Sequence, residues 1–382
     1  MTGKQRFEAV VNNRVPDKFP LYIPTVSCSV ASEILGHIAL TGADRLHFEE
    51  ELSLFRGPSA HAEFEEKLIS DTEELMRALR VDIVRETWRS QEIPTKQLDE
   101  YTLLFGDENG AHKIKRYFPE QDSYGVLFSN IHQDADELAE HLRAALETPV
   151  VLPTMEDSLR AVQSARRLFD RLEDCALGEI ISGGSFGISM FDPAWLELSV
   201  LEPELLHAHF MRVSADAVVR MRHMAAAGYY WFNGGLDMAS SSGPIYSPAT
   251  FRGVLLEPLK MFASACAECG AVFCYRTDGN IWLMFEEMFT HAGIQAYGEV
   301  DRDAGMRVED IRRTNGNLII LGNTSSALLH GGSAQQVRED MRQQLEGALG
   351  TRFIPGPSNA IVHGTPPENV FAMVEEIERF VP

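Results

Sequence analysis

The sequence predicts an α/β protein of the (β/α)8 TIM-barrel class: a single domain over residues 1–382 with a short β-hairpin inserted after the second strand. Three observations predict it. Short apolar stretches alternate with helix-period stretches, and the strand candidates number eight. The stretch Gly270–Asn280, GAVFCYRTDGN, runs from apolar Ala271–Cys274 straight into Tyr275, Arg276, Thr277 and Asp278. A strand buried on both faces reads this way when it ends at a polar pocket. Ionisable residues also follow neighbouring strand candidates, where a parallel barrel keeps its chemistry.

Length and composition agree with that class. The chain has 382 residues, enough for two or three domains at about 150 residues each, or for one barrel of about 200 to over 400. Hydrophobic residues at 45% and charged residues at 24% match a globular protein with a large core. A formal net charge of −22, from 34 basic and 56 acidic residues, repels phosphate backbones and anionic lipid, so nucleic acid and membrane surfaces are excluded as partners. The five cysteines, Cys28, Cys175, Cys266, Cys269 and Cys274, lack a disulfide-like spacing, which fits a reducing compartment. The N-terminus has no continuous apolar segment, and no run approaches the roughly 20 apolar residues of a membrane span. The expected location is the cytoplasm.

The elements follow in order. A short opening helix sets Phe7, Val10 and Val11 on one face and ends at Asn12-Asn13 and Pro16-Asp17. Lys18 to Val26 is the first strand. Asp44 to Ala78 is mostly helical, and Val81 to Glu86 is the second strand, delivering Glu86, Trp88 and Arg89 to its end. In Tyr101 to Phe118 an Asp-Glu-Asn-Gly turn separates two alternating stretches, which makes a hairpin. A helix over Asp157 to Leu172 precedes the third strand, Ala176 to Ser182, and a Gly183-Gly184 loop. Helices begin after Asp192-Pro193 and after Glu202-Pro203, the second stopping at Gly228. Tyr229 to Leu236 is the fourth strand, ending at Asp237. The helix from Pro258 leads into the fifth strand, and Ile281 to Ala292 is the helix after it. Ile294 to Val300, Asn317 to Leu321 and Thr351 to Pro355 are the remaining strands, and Pro367 to Phe380 closes the chain.

Some motifs read two ways. Gly183-Gly184-x-x-Gly187 lacks the opening Gly-x-Gly and the acidic partner of a dinucleotide turn, so it reads as a substrate loop. Cys266-x-x-Cys269 lies in a helix pattern and Cys274 in a strand, without an obvious fourth ligand, which argues against zinc there. Asp237, Asp278, Glu299 and Asp301 could each be a cap or a solvated charge. Their shared place after the fourth, fifth and sixth strands favours chemistry, because barrel strand ends converge on one pocket. The histidines, His363 among them, carry no assignment.

Several segments together carry a family likeness: the opening helix followed by VPDKFPLYIP; GLDMASSSGPIYSPATFRGVLLEPLKMF; the TDGN turn; DAGMRVEDIRR; GNTSSALLHGG; and TPPENVFAMVEEIERF. Over nearly its whole length the chain resembles the superfamily of uroporphyrinogen decarboxylase and the corrinoid-linked methyltransferases. It departs from both named branches. Uroporphyrinogen decarboxylases carry an arginine-rich RQAGR-like segment after the first strand to hold a polycarboxylate, whereas IPTVSCSVASEILG here has no arginine. Zinc-dependent methyltransferases place His-x-Cys at the end of strand five and a Cys after strand eight. Here Arg276-Thr277-Asp278 and Ser358-Asn359 stand in those places, so no metal is expected.

The resemblance then implies a methyltransferase acting between a corrinoid (cobalamin) on a partner protein and a pterin such as tetrahydrofolate, without catalytic zinc. Asp278 or Asp237 would be the acid or orienting group near Arg276 and Asn323, Glu299 an acceptor for the pterin, and Trp88 or Tyr275 a stacking face. Asn233 and Asn359 join the substrate-binding set. Two alternatives stay open: a decarboxylase of a smaller carboxylic acid, gripped by Arg276, and a non-catalytic ligand-binding barrel. The expected partners are a corrinoid protein and a small-molecule substrate, with a homodimer left open.

Overall fold

The computed structural model describes residues 1–85, 87–177, 180–181, 186–348 and 352–382. Its strands are short: β1 (Ile83–Val84), β2 (Lys96–Asp99), β3 (Thr102–Gly106), β4 (His112–Phe118), β5 (Ser123–Ser129), β6 (Ala176–Leu177), β7 (Ile180–Ile181), β8 (Trp231–Gly234), β9 (Ala239–Ser240), β10 (Gly243–Pro244), β11 (Val272–Arg276), β12 (Ala296–Gly298), β13 (Ile319–Leu321) and β14 (Phe353–Ile354). Every residue of β11 is buried, because helices cover one face and other strands' side chains the opposite one. A parallel sheet runs in the order β14-β13-β12-β11-β8-β7, and β1 pairs in parallel with β6. The architecture is therefore α/β with parallel pairing throughout these strands.

Side chains alternate between two apolar layers. Val272 and Cys274 of β11 point with Tyr22, Ile83, Trp231, Ile319 and Ile354 into one cluster, while Phe273 and Tyr275 point into the larger cluster shared with the helices. Phe7 of the helix Gly3–Val11 meets the Trp231 ring edge-on at 4.8 Å and packs into the first cluster.

The segment expected as the first strand is irregular. Pro20 and Pro24 each lack the N–H that a ladder needs, and pairing is reduced to bridges at Tyr22 and Val26. Asp82 compensates at Leu21, whose N–H donates to its Oδ2 at 3.0 Å. On the other side Tyr22 N–H donates to the Pro355 carbonyl at 3.2 Å. Gly356 permits that approach, since a Cβ there would lie 1.9 Å from the Tyr22 carbonyl oxygen.

Other expectations also need correction. The hairpin of residues 101–118 is the inner pair of a four-stranded antiparallel sheet, β2-β3-β4-β5. It rests on the helix Ala43–Arg56, where Phe48 stacks on Tyr117 at 5.1 Å. The helix expected over Asp157–Leu172 is two, Met155–Ala161 and Gln163–Arg171. After β11, the expected helix over Ile281–Ala292 ends in a π-helical turn, Glu287–His291, closed by Ala292 N–H on the Glu287 carbonyl at 2.8 Å. Glu86 and the Gly183-Gly184 loop lie outside the described residues. No helix among the described residues is long and apolar enough to cross a membrane.

Candidate functional site

Arg276 ends β11 on the same side as Cys274, which carries its guanidinium inward at 7% exposure. Space for it comes from Gly298 across the ladder, where a Cβ would come within 3.1 Å of Arg276 Cγ. Glu299, the next residue, turns out of β12 in a left-handed conformation, φ 61°. Its Oε1 accepts from Arg276 Nη2 at 3.0 Å and Nε at 3.3 Å. Arg276 Nη1 donates to the Tyr22 hydroxyl at 3.1 Å. Arg276 is thus bound to protein groups, which corrects its expected role as the grip on a substrate anion.

Two more carboxylates join Glu299. Gly235, φ 142°, lets the end of β8 pass beside the Arg276 backbone, because a Cβ there would lie 2.3 Å from the Arg276 carbonyl oxygen. Two residues on, Asp237 Oδ1 accepts from the Asp278 N–H at 3.1 Å. Asp278 Oδ2 accepts from Asn359 Nδ2 at 2.6 Å. Asp237, Asp278 and Glu299 each bring a carboxylate oxygen within 4.8 Å of the others. Burial pushes the Asp278 carboxyl up to about 7, reinforced by the charges of Glu299 and Asp237 and opposed by the Asn359 hydrogen bond. Asp237 is raised as well, first by burial, against the stabilising Asp278 N–H. The Asp278 carboxyl accordingly stays partly protonated near neutrality.

A cavity of about 520 Å³ opens over this cluster. Glu299 and Asn359 reach its wall; Asp237, Asp278 and Arg276 form the layer behind them. Trp88, 63% exposed, contributes to the same lining and meets the His47 ring edge-on at 4.8 Å. Trp88 is held by its neighbours in sequence. Arg89 pairs with fully buried Glu50 at 2.6 Å and with Glu65, and Ser90 N–H donates to Glu50 Oε2 at 3.0 Å. Arg89, expected at the strand end beside Trp88, therefore faces away from the cavity.

Three other expectations change. Tyr275 is fully buried and its hydroxyl donates to the Phe186 carbonyl at 2.6 Å, so it offers no stacking face. Asn323 is fully buried too; its amide donates to the carbonyls of Val300 at 3.0 Å and Met306 at 2.8 Å, bracing the loop after β12 instead of touching the cavity. Asn233 is buried on β8 opposite Cys274 and is absent from the cavity wall. Asp301 caps a turn through the Ala304 N–H at 3.0 Å. The wall also includes Arg85, Asp44, Asp122, His47 and His363. Arg85 sits just beyond β1 in a segment already read as a strand end, whereas Tyr22 lies in an apolar run that gives no sign of its polar contact.

The donor set does not suit a thiol-activating zinc. The carboxylate cluster and a second group, Glu50, His61 and Glu65, are the metal-capable clusters among the described residues, and neither contains a cysteine. In the second, Arg89 already occupies the space between Glu50 and Glu65.

Comparison with known proteins bears on this arrangement. A family model described as uroporphyrinogen decarboxylase (URO-D) matches residues 187–380. A methyltransferase from Methanosarcina mazei superposes over 100% of this chain and 99% of its own, with a TM-score of 0.64 at 18% sequence identity. That likeness speaks to the fold. A D-psicose 3-epimerase from Clostridium cellulolyticum H10 overlaps 63% of this chain and 90% of its own at 9% identity, and its TM-score of 0.30 carries no argument. No curated protein matches the chain by sequence.

Proposed function

The chain belongs to the uroporphyrinogen decarboxylase (URO-D) family, and from that premise we propose that it is a methyltransferase. It moves a methyl group between the corrinoid of a partner protein and a pterin such as tetrahydrofolate, without catalytic zinc. The observation that carries the reading is Asp278, whose carboxyl is held at about 7 beside the cavity. An N-methyl group leaves its nitrogen readily only when that nitrogen is protonated or hydrogen-bonded, and a carboxyl half protonated at neutral pH can supply the proton. The corrinoid would supply the nucleophile that accepts the methyl group.

The chain's own residues fit a pterin. Trp88 offers an exposed indole to a flat ring, Glu299 an acceptor for its N–H groups, and Asn359 links the cavity to Asp278. Arg276 fixes Glu299 from behind. Under this reading the parallel strands close into a single-domain (β/α)8 barrel, with the antiparallel sheet inserted after its second strand, and the enzyme works in the cytoplasm. A decarboxylase would need a cation free to hold a carboxylate. Arg276 is committed to Glu299 and Tyr22, Arg85 shares the wall with Asp44, Asp122 and Glu299, and Asp237 and Asp278 repel an anion, which disfavours that alternative.

Anaerobic mixing of the protein with methyltetrahydrofolate and cob(I)alamin, followed by corrinoid absorbance, tests the proposal. A protein-dependent absorbance change that scales with methyltetrahydrofolate is expected. A rate no greater than the protein-free control, with carbon dioxide released from an added carboxylic acid, would transfer the assignment to decarboxylation.

A further inference from the structure

The inserted antiparallel sheet has two edges, and they are built differently. Along β2 the sequence Lys-Gln-Leu-Asp puts Lys96 and Asp99 on the margin, paired with Glu108 at 2.8 Å and Arg116 at 3.0 Å. Charged side chains on an edge strand guard it against pairing with another chain. β5 has no such guard. Residues 123–131 contain no charged side chain. β5 pairs with β4 alone, so its outer row of N–H and C=O groups has no strand beside it among the described residues.

Apolar side chains crowd the same margin. Leu127 is the extra residue of a bulge, because Ile114 faces Phe128 while Lys115 faces Val126. The bulge breaks the strand's alternation: Val126, Leu127 and Phe128 are 58%, 61% and 46% exposed in succession, with Ile131 at 50% just beyond. A bulge shortens the ladder that an edge can form, and the three side chains it exposes supply contact in its place. The charges beside β5 are used within the chain. Lys115 pairs with Glu51 at 2.6 Å and Glu92 at 2.9 Å, and Lys113 with Glu92 at 2.8 Å.

We propose that β5 is the surface through which two copies of this chain associate, edge to edge and antiparallel about a two-fold axis. Pairing a strand with its own copy in this way is isologous and closes at two. Charge selects a second copy over a charged partner. Each chain carries −22, so two copies repel over most of their surfaces and approach with least opposition where charge is absent. A strongly charged partner finds no counter-charge on this margin. A seven-residue edge covers less than the roughly 800 Å² per partner of a standard interface, so association in the micromolar range is expected.

Sedimentation velocity of the full chain from about 1 to about 200 µM tests the proposal. A monomer–dimer equilibrium is expected, and it should strengthen as salt rises from about 50 to about 500 mM, because screening removes the repulsion between copies. Leu127→Lys should weaken dimerisation about 10-fold or more, since the new charge meets its own copy across the axis, while an exposed position leaves the melting temperature near the parent's. Val126→Lys serves if that variant does not fold. Leu98→Lys, on the guarded β2 edge, should leave the equilibrium unchanged. Amide exchange in residues 123–129 should slow as the protein is concentrated, with β2 unaffected. A monomer at every concentration, species larger than a dimer, a dimer that salt dissociates, or one indifferent to both lysine variants overturns the proposal. Protection of β5 that appears only when a different protein is added, the chain itself staying monomeric, overturns it in favour of that partner.

Discussion

Asp278→Asn should make the protein more stable and less active at once. The carboxyl moves from 3.8 to about 7 on folding, and at 1.36 kcal/mol per pKa unit the ionised form carries on the order of 4 kcal/mol of strain as an upper bound. Solvent screening beside the cavity discounts that bound, so about 1–3 kcal/mol is expected. The sign follows from the raised value. Stability contributed by the protonated form is full below the unfolded pKa near 4 and is lost as pH rises through about 7. Asparagine keeps the oxygen that accepts from Asn359 and never ionises, so the variant's gain in Tm should be small at pH 5 and largest at pH 8. Turnover should fall roughly 10²-fold or more, and the limb of the pH–rate profile near 7 should disappear. Thermal melts from pH 5 to 8 beside steady-state kinetics give both readouts. A variant less stable than the parent at pH 8 would show that the carboxylate is comfortable when ionised and would refute the argument. Near-normal turnover in a folded variant would shift the acid role to Asp237 or Glu299.

Arg276→Ala removes the cation from Glu299 and leaves a part-buried carboxylate beside Asp237 and Asp278. A loss of roughly 3–5 kcal/mol is expected, read as a lower Tm at pH 7, and lowering the pH should recover part of it as the acids protonate. A variant that instead melts like the parent and differs only in KM would restore Arg276 as a substrate grip. Elemental analysis of the protein after mild chelation should find no stoichiometric zinc, because the cluster offers only carboxylate oxygens; about one zinc per chain would contradict that reading of the donors.

What was legible in the sequence was local. β11 announces itself because Ala271–Cys274 is apolar on both parities, and the helix Pro203–Ala226 because proline opens it and Gly228 follows its end. The clustering of Asp237, Asp278 and Glu299 follows from their shared position after successive parallel strands. What was not legible depended on side-chain parity or distance along the chain. Tyr275 lies one residue before Arg276, and strand alternation sends its ring outward to the helices. Asn323 looked like a strand-end ligand, but its left-handed backbone, φ 104°, turns its amide under the loop that follows β12. The Tyr22–Arg276 contact spans 254 residues, and a tyrosine between two apolar neighbours gives no local hint of a polar partner.

Backbone strain marks the same place independently of charge. Among the described non-glycine residues with left-handed backbones, Ala43 at φ 64°, Asp122 at 45° and Glu299 at 61° all line the cavity. Each such residue costs on the order of 1 kcal/mol or more and persists only where surrounding contacts hold it. Glu299 is held by Arg276, and Asp122 by Ser29 and the Tyr117 hydroxyl. A cavity left over from imperfect packing has no reason to collect strained residues with anchored carboxylates, whereas a site that must hold ligand-facing groups in fixed positions does. The same reasoning explains why the raised Asp278 carboxyl sits behind Asn359: set behind the wall it stays partly protonated, and Asn359 connects it to the cavity without giving it a countercharge.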